Sequence, residues 1–277
     1  MEYILTRIGQ LPKMGLGTFS VPEDKLRKLI PAALNFGCGL IDTAYKYHNE
    51  KVIGEILSER VGDRKDYYIE TKANAELFLG NLRYLRLNKK SPETILRKSC
   101  VRLKSDFIDI FMVHSPFVGY ENVIRKYQKI KSSGAIGLIG GCNVNLSQLQ
   151  DLERMNLLPD LVQVEIHPYN SNNAVVEFCH SHSIIVEARS PFAHGDVFDE
   201  WKNGPVLQDL AKRNQATIPQ VILRWITQRG IIALPRTLSI KHLEENIESF
   251  KLTFTEEEMD SISGLNRDMS YGYVSRR

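Results

Sequence analysis

The stretch Ile41-Asp-Thr-Ala-Tyr-Lys-Tyr-His-Asn-Glu50 lies between a short apolar run and a longer amphipathic one. Residues 39–42 have the near-continuous apolar character of a strand that is buried on both faces. Residues 49–60 have apolar side chains at helical spacing. The stretch therefore predicts the turn between a parallel strand and the helix that follows it. It also places a carboxylate, Asp42, five positions before a phenol, Tyr47.

The same alternation of short apolar runs with amphipathic ones continues along the chain. Strands are predicted at residues 14–18, 39–42, 67–71, 107–114, 136–140, 161–165, 184–189 and 231–235. Helices are predicted at residues 23–36, 49–60, 92–103, 120–132, 146–156, 173–183, 205–213, 219–229 and 240–248. Eight strands that alternate with helices imply an α/β protein whose parallel sheet closes into a (β/α)8 TIM barrel. A hairpin over residues 3–13, with Gly9-Gln10 at its turn, is expected to close the bottom of this barrel.

The length and composition are those of one globular domain. A single α/β barrel has about 250 residues, and no linker divides this chain, so residues 1–277 are expected to form one domain. The net charge of +3 gives no indication of a nucleic-acid or membrane partner. The chain has no apolar run of about 18 residues and no signal peptide, so a cytoplasmic protein is expected. We also expect it to be a monomer or a weak dimer. The four cysteines have no metal-ligand spacing, and no metal site is predicted.

Four side chains that together can protonate a carbonyl oxygen fall at or just after predicted strand ends. Besides Asp42 and Tyr47 they are Lys72 in Ile69-Glu-Thr-Lys72 and His114 in Phe111-Met-Val-His114-Ser-Pro116. A phenol has a pKa of about 10 and is a weak acid at neutral pH unless a cation stabilises its anion. Lys72 can supply this cation, Asp42 can keep it charged, and His114 can hydrogen-bond the substrate oxygen. Any one of them alone would more often have a structural role, but the four together favour a catalytic site.

These four residues, in this order, resemble the catalytic tetrad of the aldo-keto reductase family, and the resemblance covers almost the whole chain. It implies a reductase that uses NADPH, with NADH as the alternative cofactor, to convert a small aldehyde or ketone to an alcohol by hydride transfer. In this chemistry Tyr47 would be the general acid, supported by Lys72, Asp42 and His114. The alternative is a cofactor-binding regulatory or sensor protein of the same fold with little turnover. An unrelated metal-dependent barrel enzyme has no support from ligand spacing.

Further motifs match the family's cofactor site. They are Met14-Gly-Leu-Gly-Thr-Phe19, Gly141-Cys-Asn-Val, Val162-Gln-Val-Glu-Ile-His-Pro168, Ser190-Pro-Phe-Ala-His-Gly195 and Pro235-Arg-Thr237. The resemblance implies that the nicotinamide half is bound by Gly17, Thr18, Asp42, Asn143, Gln163 and Arg189. It implies that the pyrophosphate and the adenosine 2′-phosphate half are bound by Ser190, Phe192, Gly195, Arg236, Thr237, His242, Glu245 and Asn246.

The chain departs from the family's pattern at three places. Cys142 replaces a serine, and a thiol is a weaker hydrogen-bond donor than a hydroxyl. Arg189 replaces a tyrosine that stacks on nicotinamide. Two interpretations of Arg189 remain open: it stacks on the ring and favours the reduced cofactor, or it turns away and pairs with a carboxylate. His242 replaces an arginine near Arg236, so the preference for NADPH is expected to be weaker than in members with both cations.

Substrate contacts are expected at the mouth of the barrel, where the loops that determine specificity lie. The expected substrate-binding residues are Phe19, Tyr47, Phe78, His114 and Phe117. The connection after His114 and the C-terminal segment are both short, which predicts an open pocket.

Overall fold

A computed structural model describes residues 1–59, 64–73, 92–116, 119–199 and 205–272 of the chain. A two-stranded antiparallel hairpin comes first, formed by β1 (Tyr3–Thr6) and β2 (Gly9–Pro12). Eight parallel strands then follow one another in sequence order, each hydrogen-bonded to the next. They are β3 (Gly15–Gly17), β4 (Leu40–Asp42), β5 (Tyr68–Ala73), β6 (Ile108–Val113), β7 (Ile136–Cys142), β8 (Leu161–Glu165), β9 (Ile185–Arg189) and β10 (Ile232–Leu234).

The sheet closes on itself between its last and first strands. Met14, just before β3, bridges Ala233 of β10 in parallel orientation. The amide of Ala233 donates to the carbonyl of Lys13 at 2.9 Å, and the amide of Gly17 donates to that of Pro235 at 3.0 Å. The predicted (β/α)8 barrel is therefore confirmed.

The helices form the outer layer of the barrel. Those in the described residues are α1 (Glu23–Asn35), α2 (Glu50–Glu59), α3 (Pro92–Leu103), α4 (Tyr120–Ser132), α5 (Leu146–Arg154), α6 (Asn173–Ser181), α7 (Val206–Arg213), α8 (Ile218–Gln228), α9 (Ile240–Glu248) and α10 (Glu256–Ser263). The first nine lie where the sequence predicts them. The tenth was not predicted: a capping box of Thr255 and Glu258 begins it, but it buries only Ile262, so its apolar periodicity is weak. None of the described helices is both long and apolar enough to span a membrane.

The turn of the N-terminal hairpin is not where the sequence indicated. Thr6 pairs with Gly9, which leaves residues 7–8 as the turn and places Gly9 and Gln10 in β2. Gly9 has a φ of +121°, and a Cβ there would lie 2.5 Å from the hydroxyl oxygen of Tyr68. The glycine is thus required for an unusual backbone conformation and for close packing on β5 rather than for the turn itself.

The barrel interior is apolar at its lower end and polar at its upper end. The apolar cluster inside the barrel includes Leu11 from the hairpin, Leu40, Ile110 and Leu138. Above it, the inward-facing side chains include Glu70, Lys72, Gln163 and Glu187, all buried. Buried polar groups must find partners among themselves, so this end of the barrel is where a chemical site is expected.

Candidate active site

The four residues predicted to protonate a carbonyl come together at the C-terminal ends of the barrel strands. Asp42 is the last residue of β4, Lys72 lies near the end of β5, and His114 directly follows β6. Tyr47 lies in the short 3-10 helix Tyr45–Tyr47 that follows β4. Asp42, Lys72 and His114 are buried, whereas Tyr47 is half-buried and reaches the surface of the site.

Lys72 lies at the centre of the cluster. Its side chain is fully buried, and its ammonium group forms an ion pair with the carboxylate of Asp42 and donates to the carbonyl of Thr43 at 3.1 Å. The Nζ atom lies 5.8 Å from the centroid of the Tyr47 ring. Burial lowers the pKa of Lys72 to about 8, so the group remains mostly charged at neutral pH and loses its proton above it.

His114 also lies close to the phenol ring of Tyr47. The two rings are 5.8 Å apart at an interplanar angle of 75°. Burial is the main cause that lowers the pKa of His114 to about 3, and the positive charge of Lys72 is the second largest cause. The imidazole is therefore neutral at physiological pH and has one ring N–H with which to donate a hydrogen bond.

A buried network beneath Tyr47 was not found from the sequence. Asn49 accepts from Thr43 Oγ1 at 2.6 Å and donates to the carbonyl of Thr18 at 3.0 Å. Thr18 Oγ1 in turn donates to the carbonyl of Asp42 at 2.7 Å. The network ties the end of β3 to the end of β4 and to the start of α2, so it fixes the segment that contains Tyr47. An asparagine just before a helix resembles an ordinary cap, and this made its role difficult to identify.

The residues expected at the nicotinamide carboxamide differ in their accessibility. Asn143 directly follows β7, is half-buried and donates to the carbonyl of His114 at 3.1 Å. Gln163 points into the barrel, where its Nε2 donates to Glu70 at 2.7 Å and to Glu187 at 3.0 Å. Cys142 is buried, and its Sγ lies 3.5 Å from Oε1 of Gln163. Both polar atoms of the Gln163 amide thus have partners inside the barrel.

Arg189 pairs with a carboxylate, which is the second of the two interpretations left open by the sequence. Its Nη2 lies 3.2 Å from Oε2 of Glu165, and its Nε donates to Oδ1 of Asn143 at 2.7 Å. The guanidinium therefore links the ends of β7, β8 and β9 across the barrel mouth.

Glu165 is a second residue that the sequence did not reveal. It also accepts from Ser270 Oγ at 2.7 Å and from the backbone N–H of Tyr271 at 3.0 Å, so it fastens the C-terminal segment to the barrel. Burial acts to raise the pKa of Glu165, but hydrogen bonds from His167, Tyr271 and Ser270 and the charge of Arg189 lower it to about 2. The carboxylate thus stays ionised at every physiological pH.

The segments predicted to hold the phosphates are also at this end of the barrel. Ser190 and Gly195 have positive φ angles of 52° and 106°, which curl the loop after β9, and Phe192 is partly buried within it. Arg236 is exposed just after β10, and Thr237 beside it is buried. The remaining predicted residues lie on one face of α9: His242 is exposed, Glu245 is half-buried and Asn246 is buried.

The structure describes only part of the predicted substrate pocket. Phe19 is 53% exposed, and its ring lies 5.0 Å from that of Tyr47, so it forms one wall beside the phenol. Phe78 and Phe117 lie outside the described residues. Gly17 was expected to approach a ligand; a Cβ there would lie 3.3 Å from the carbonyl oxygens of Leu234 and Pro235, which is a packing reason for the glycine. Among the described side chains, no cluster of His, Cys, Asp and Glu could hold a metal ion.

Comparison with known proteins gives a consistent result. A model of the Aldo/keto reductase family matches residues 13–267. The chain is 30% identical over 269 residues to the glyoxal reductase of Bacillus subtilis, which covers 95% of this chain and 92% of the relative. It is similar to the structure of an aldose reductase from Schistosoma japonicum, with a TM-score of 0.85 and 26% identity over 98% of this chain and 94% of that one. A structure of a Gox0644 variant in complex with NADPH has a TM-score of 0.81 and 25% identity over 96% and 93% of the two chains.

The neutral state of His114 can be measured directly. We expect its imidazole nitrogen shifts to remain constant from about pH 5 to about pH 8, because its pKa is lowered to about 3. His182 is a matched control: its ring is bonded to the carbonyl of Phe178 and to Glu153, which raise its pKa, so it should gain its proton at a much higher pH than His114 does. NMR of the ring nitrogens, assigned with His114→Gln and His182→Gln, gives both curves. A His114 midpoint within the window would contradict the assignment of a neutral donor.

Proposed function

The chain belongs to the aldo/keto reductase family, and we propose that it reduces a small aldehyde or ketone to an alcohol with NADPH, with Tyr47 as the proton donor. One observation carries this proposal. A fully buried lysine, Lys72, pairs with the carboxylate of Asp42 and has its ammonium nitrogen 5.8 Å from the centroid of the Tyr47 ring, where its charge can stabilise a phenolate. The glyoxal reductase of Bacillus subtilis supports a small carbonyl compound as the substrate.

Each of the four residues has a distinct role in the proposed reaction. Tyr47 transfers its phenolic proton to the carbonyl oxygen while the carbonyl carbon accepts a hydride. The ammonium of Lys72 stabilises the resulting phenolate, and Asp42 offsets the cost of keeping that ammonium in a buried site. Neutral His114 donates a hydrogen bond to the same carbonyl oxygen, which orients the carbon toward the hydride source. In the reverse direction the phenolate of Tyr47 is the general base.

The residues at the barrel mouth fit NADPH, which supplies the hydride when it is bound. Asn143, at the end of β7, presents an amide to the nicotinamide half. Arg236, exposed at the end of β10, can clamp a phosphate with two parallel hydrogen bonds, and the hydroxyl of Thr237 is adjacent in sequence. The guanidinium of Arg236 can form two parallel hydrogen bonds to a phosphate and the imidazole of His242 cannot, so Arg236 is the main reader of the 2′-phosphate. The structure of a Gox0644 variant in complex with NADPH supports this choice of cofactor.

Replacing the proposed acid tests the chemistry. Tyr47→Phe removes the proton donor but retains the ring, so kcat should fall by about 10²- to 10⁴-fold, with binding of NADPH retained. Tyr45→Phe is a matched control, since Tyr45 lies in the same 3-10 helix and its ring packs under Arg102 at 4.3 Å, away from Lys72. This variant should retain wild-type turnover. The measurement is the loss of reduced-nicotinamide absorbance with a panel of small aldehydes and ketones.

Two results would contradict the proposal in different ways. Equal turnover by the wild type and Tyr47→Phe would exclude Tyr47 as the acid. Tight binding of NADPH by the wild type without turnover of any substrate in the panel would instead favour a regulatory or sensor protein of the same fold.

The reading of the 2′-phosphate can be tested through cofactor selectivity. Arg236→Met should weaken NADPH binding by about 10-fold or more and leave NADH binding nearly unchanged, because a charge-assisted bidentate contact is lost only with the phosphorylated cofactor. Lys241→Met is the control, since Lys241 is an exposed cation on α9 close in sequence and forms a 3.8 Å ion pair with Glu245. Fluorescence titration with both cofactors gives the ratio of affinities. An unchanged ratio in Arg236→Met would show that this side chain does not read the phosphate.

A further inference from the structure

Two glutamates lie inside the barrel directly below Lys72. Glu70 is on β5, two residues before Lys72 and on the same face of the strand, and Glu187 is on β9. Both side chains are completely inaccessible to solvent. A carboxylate removed from water is costly unless it is paired or protonated, so two such groups in one small interior need an explanation.

The two carboxyl groups are connected to each other and to Lys72. Gln163 reaches both with a single nitrogen, 2.7 Å from Glu70 Oε1 and 3.0 Å from Glu187 Oε2. The same Oε1 of Glu70 lies 3.1 Å from the ammonium nitrogen of Lys72. Glu70 is therefore a second acid at the lysine, in addition to Asp42.

The remaining oxygens point to a shared proton. Among the described residues, no other donor reaches Glu70 Oε2 or Glu187 Oε1. The shared nitrogen of Gln163 holds the two carboxyl groups next to each other, where a proton on one of them can be donated to the other. Burial raises the pKa of Glu70 well above its usual range, and the charge of Glu187 adds to that shift. Burial also raises the pKa of Glu187. Two adjacent buried carboxyls release their protons as a coupled pair, because loss of the first proton makes loss of the second more costly.

The charged and titratable side chains around the pair come from several strands. They are Lys72 on β5, Cys142 on β7 and Arg189 on β9. Asp42 at the end of β4 forms an ion pair with Lys72, and His114 at the end of β6 is close enough for the charge of Lys72 to lower its pKa. β6 and β10 contribute apolar residues to the barrel interior, namely Ile110, Met112, Ile232 and Leu234, which do not titrate. Lys72 is the nearest positive charge with a direct contact to the pair.

We propose that Glu70 and Glu187 share one proton and act as positioning residues. The pair keeps one negative charge, which contacts Lys72 through Glu70 and holds the lysine as an ammonium ion beside Tyr47. The proposal rests on the proposed reductase chemistry, in which Lys72 stabilises the phenolate. The shared proton prevents a second full negative charge from accumulating next to Lys72, and Gln163 fixes both carboxyls in register. Neither glutamate contacts the reacting atoms.

The first experiment detects the shared proton without any turnover, so its result does not depend on the proposed function. A protonated carboxylic acid has a carbonyl stretching band that a carboxylate lacks. The infrared spectrum of the wild type at neutral pH should contain such a band, and the double variant Glu70→Gln/Glu187→Gln should lack it. Asp109, another buried carboxyl whose pKa is raised by burial, would contribute equally to both spectra and cancel. Identical spectra would overturn the shared proton.

The second experiment tests the effect on Lys72 through the pH profile of kcat/KM for reduction. Activity should fall at alkaline pH as Lys72 loses its proton. In Glu70→Gln the remaining charge is moved to Glu187, away from the lysine, so this fall should shift to lower pH by about one unit. In Glu187→Gln the charge is confined to Glu70, so the fall should stay in place or shift upward. A merely structural role would lower activity without moving the two profiles in this way.

Either of two results would overturn the positioning role: unchanged profiles in both variants, or the same downward shift in both. Thermal unfolding of each variant verifies that the barrel is intact before the profiles are compared. If no substrate is turned over by the wild type, the reductase function fails while the infrared result still decides whether the proton is shared.

Discussion

The ion pair between Lys72 and Asp42 is the interaction on which the rest of the site depends. A lysine with no solvent exposure would lose its proton unless anions compensated for its desolvation, and removing one partner of a buried pair costs about 3–5 kcal/mol. The pair is possible because β4 and β5 are adjacent and in register, with Asp42 opposite Glu70. Lys72 is two residues after Glu70 on the same face of β5, and its ammonium group forms ion pairs with both Asp42 and Glu70.

The barrel makes this arrangement by delivering side chains from different strands to one end of its interior. The lower interior is filled by leucine and isoleucine, which excludes water from the polar end above it. There, Tyr47 is fixed by the network of Thr18, Thr43 and Asn49, and Arg189 joins the ends of β7, β8 and β9 through Asn143 and Glu165. The groups proposed for catalysis therefore lie on a rigid frame, while Arg236 and His242, proposed near the phosphates, lie on the exposed rim.

Much of this could be predicted from the sequence, and the failures share a physical cause. Strand ends and their polar residues were visible because a polar side chain after an apolar run stands out, as Asp42 and His114 do. Residues inside a strand that contact the site, such as Glu70, could not be recognised from the sequence. A glutamate within a strand resembles a surface residue until the closed barrel shows that its side chain points inward. Arg189 and Glu165 are 24 residues apart, so their contact depends on strand register. Gly9 was misplaced because a glycine signals a turn and a close approach equally well.

The charge state of Lys72 is the most direct measure of whether a buried, compensated ammonium lies at the centre of this site. NMR of its side-chain nitrogen across pH, assigned with Lys72→Met, should give a midpoint at about 8, well below the reference value of about 10.4 for a lysine side chain in a model peptide. Asp42→Asn should lower the midpoint further, because one of the compensating anions is removed. A Lys72 that titrates near this reference value, or one that is already neutral at pH 7, would contradict this picture of the site.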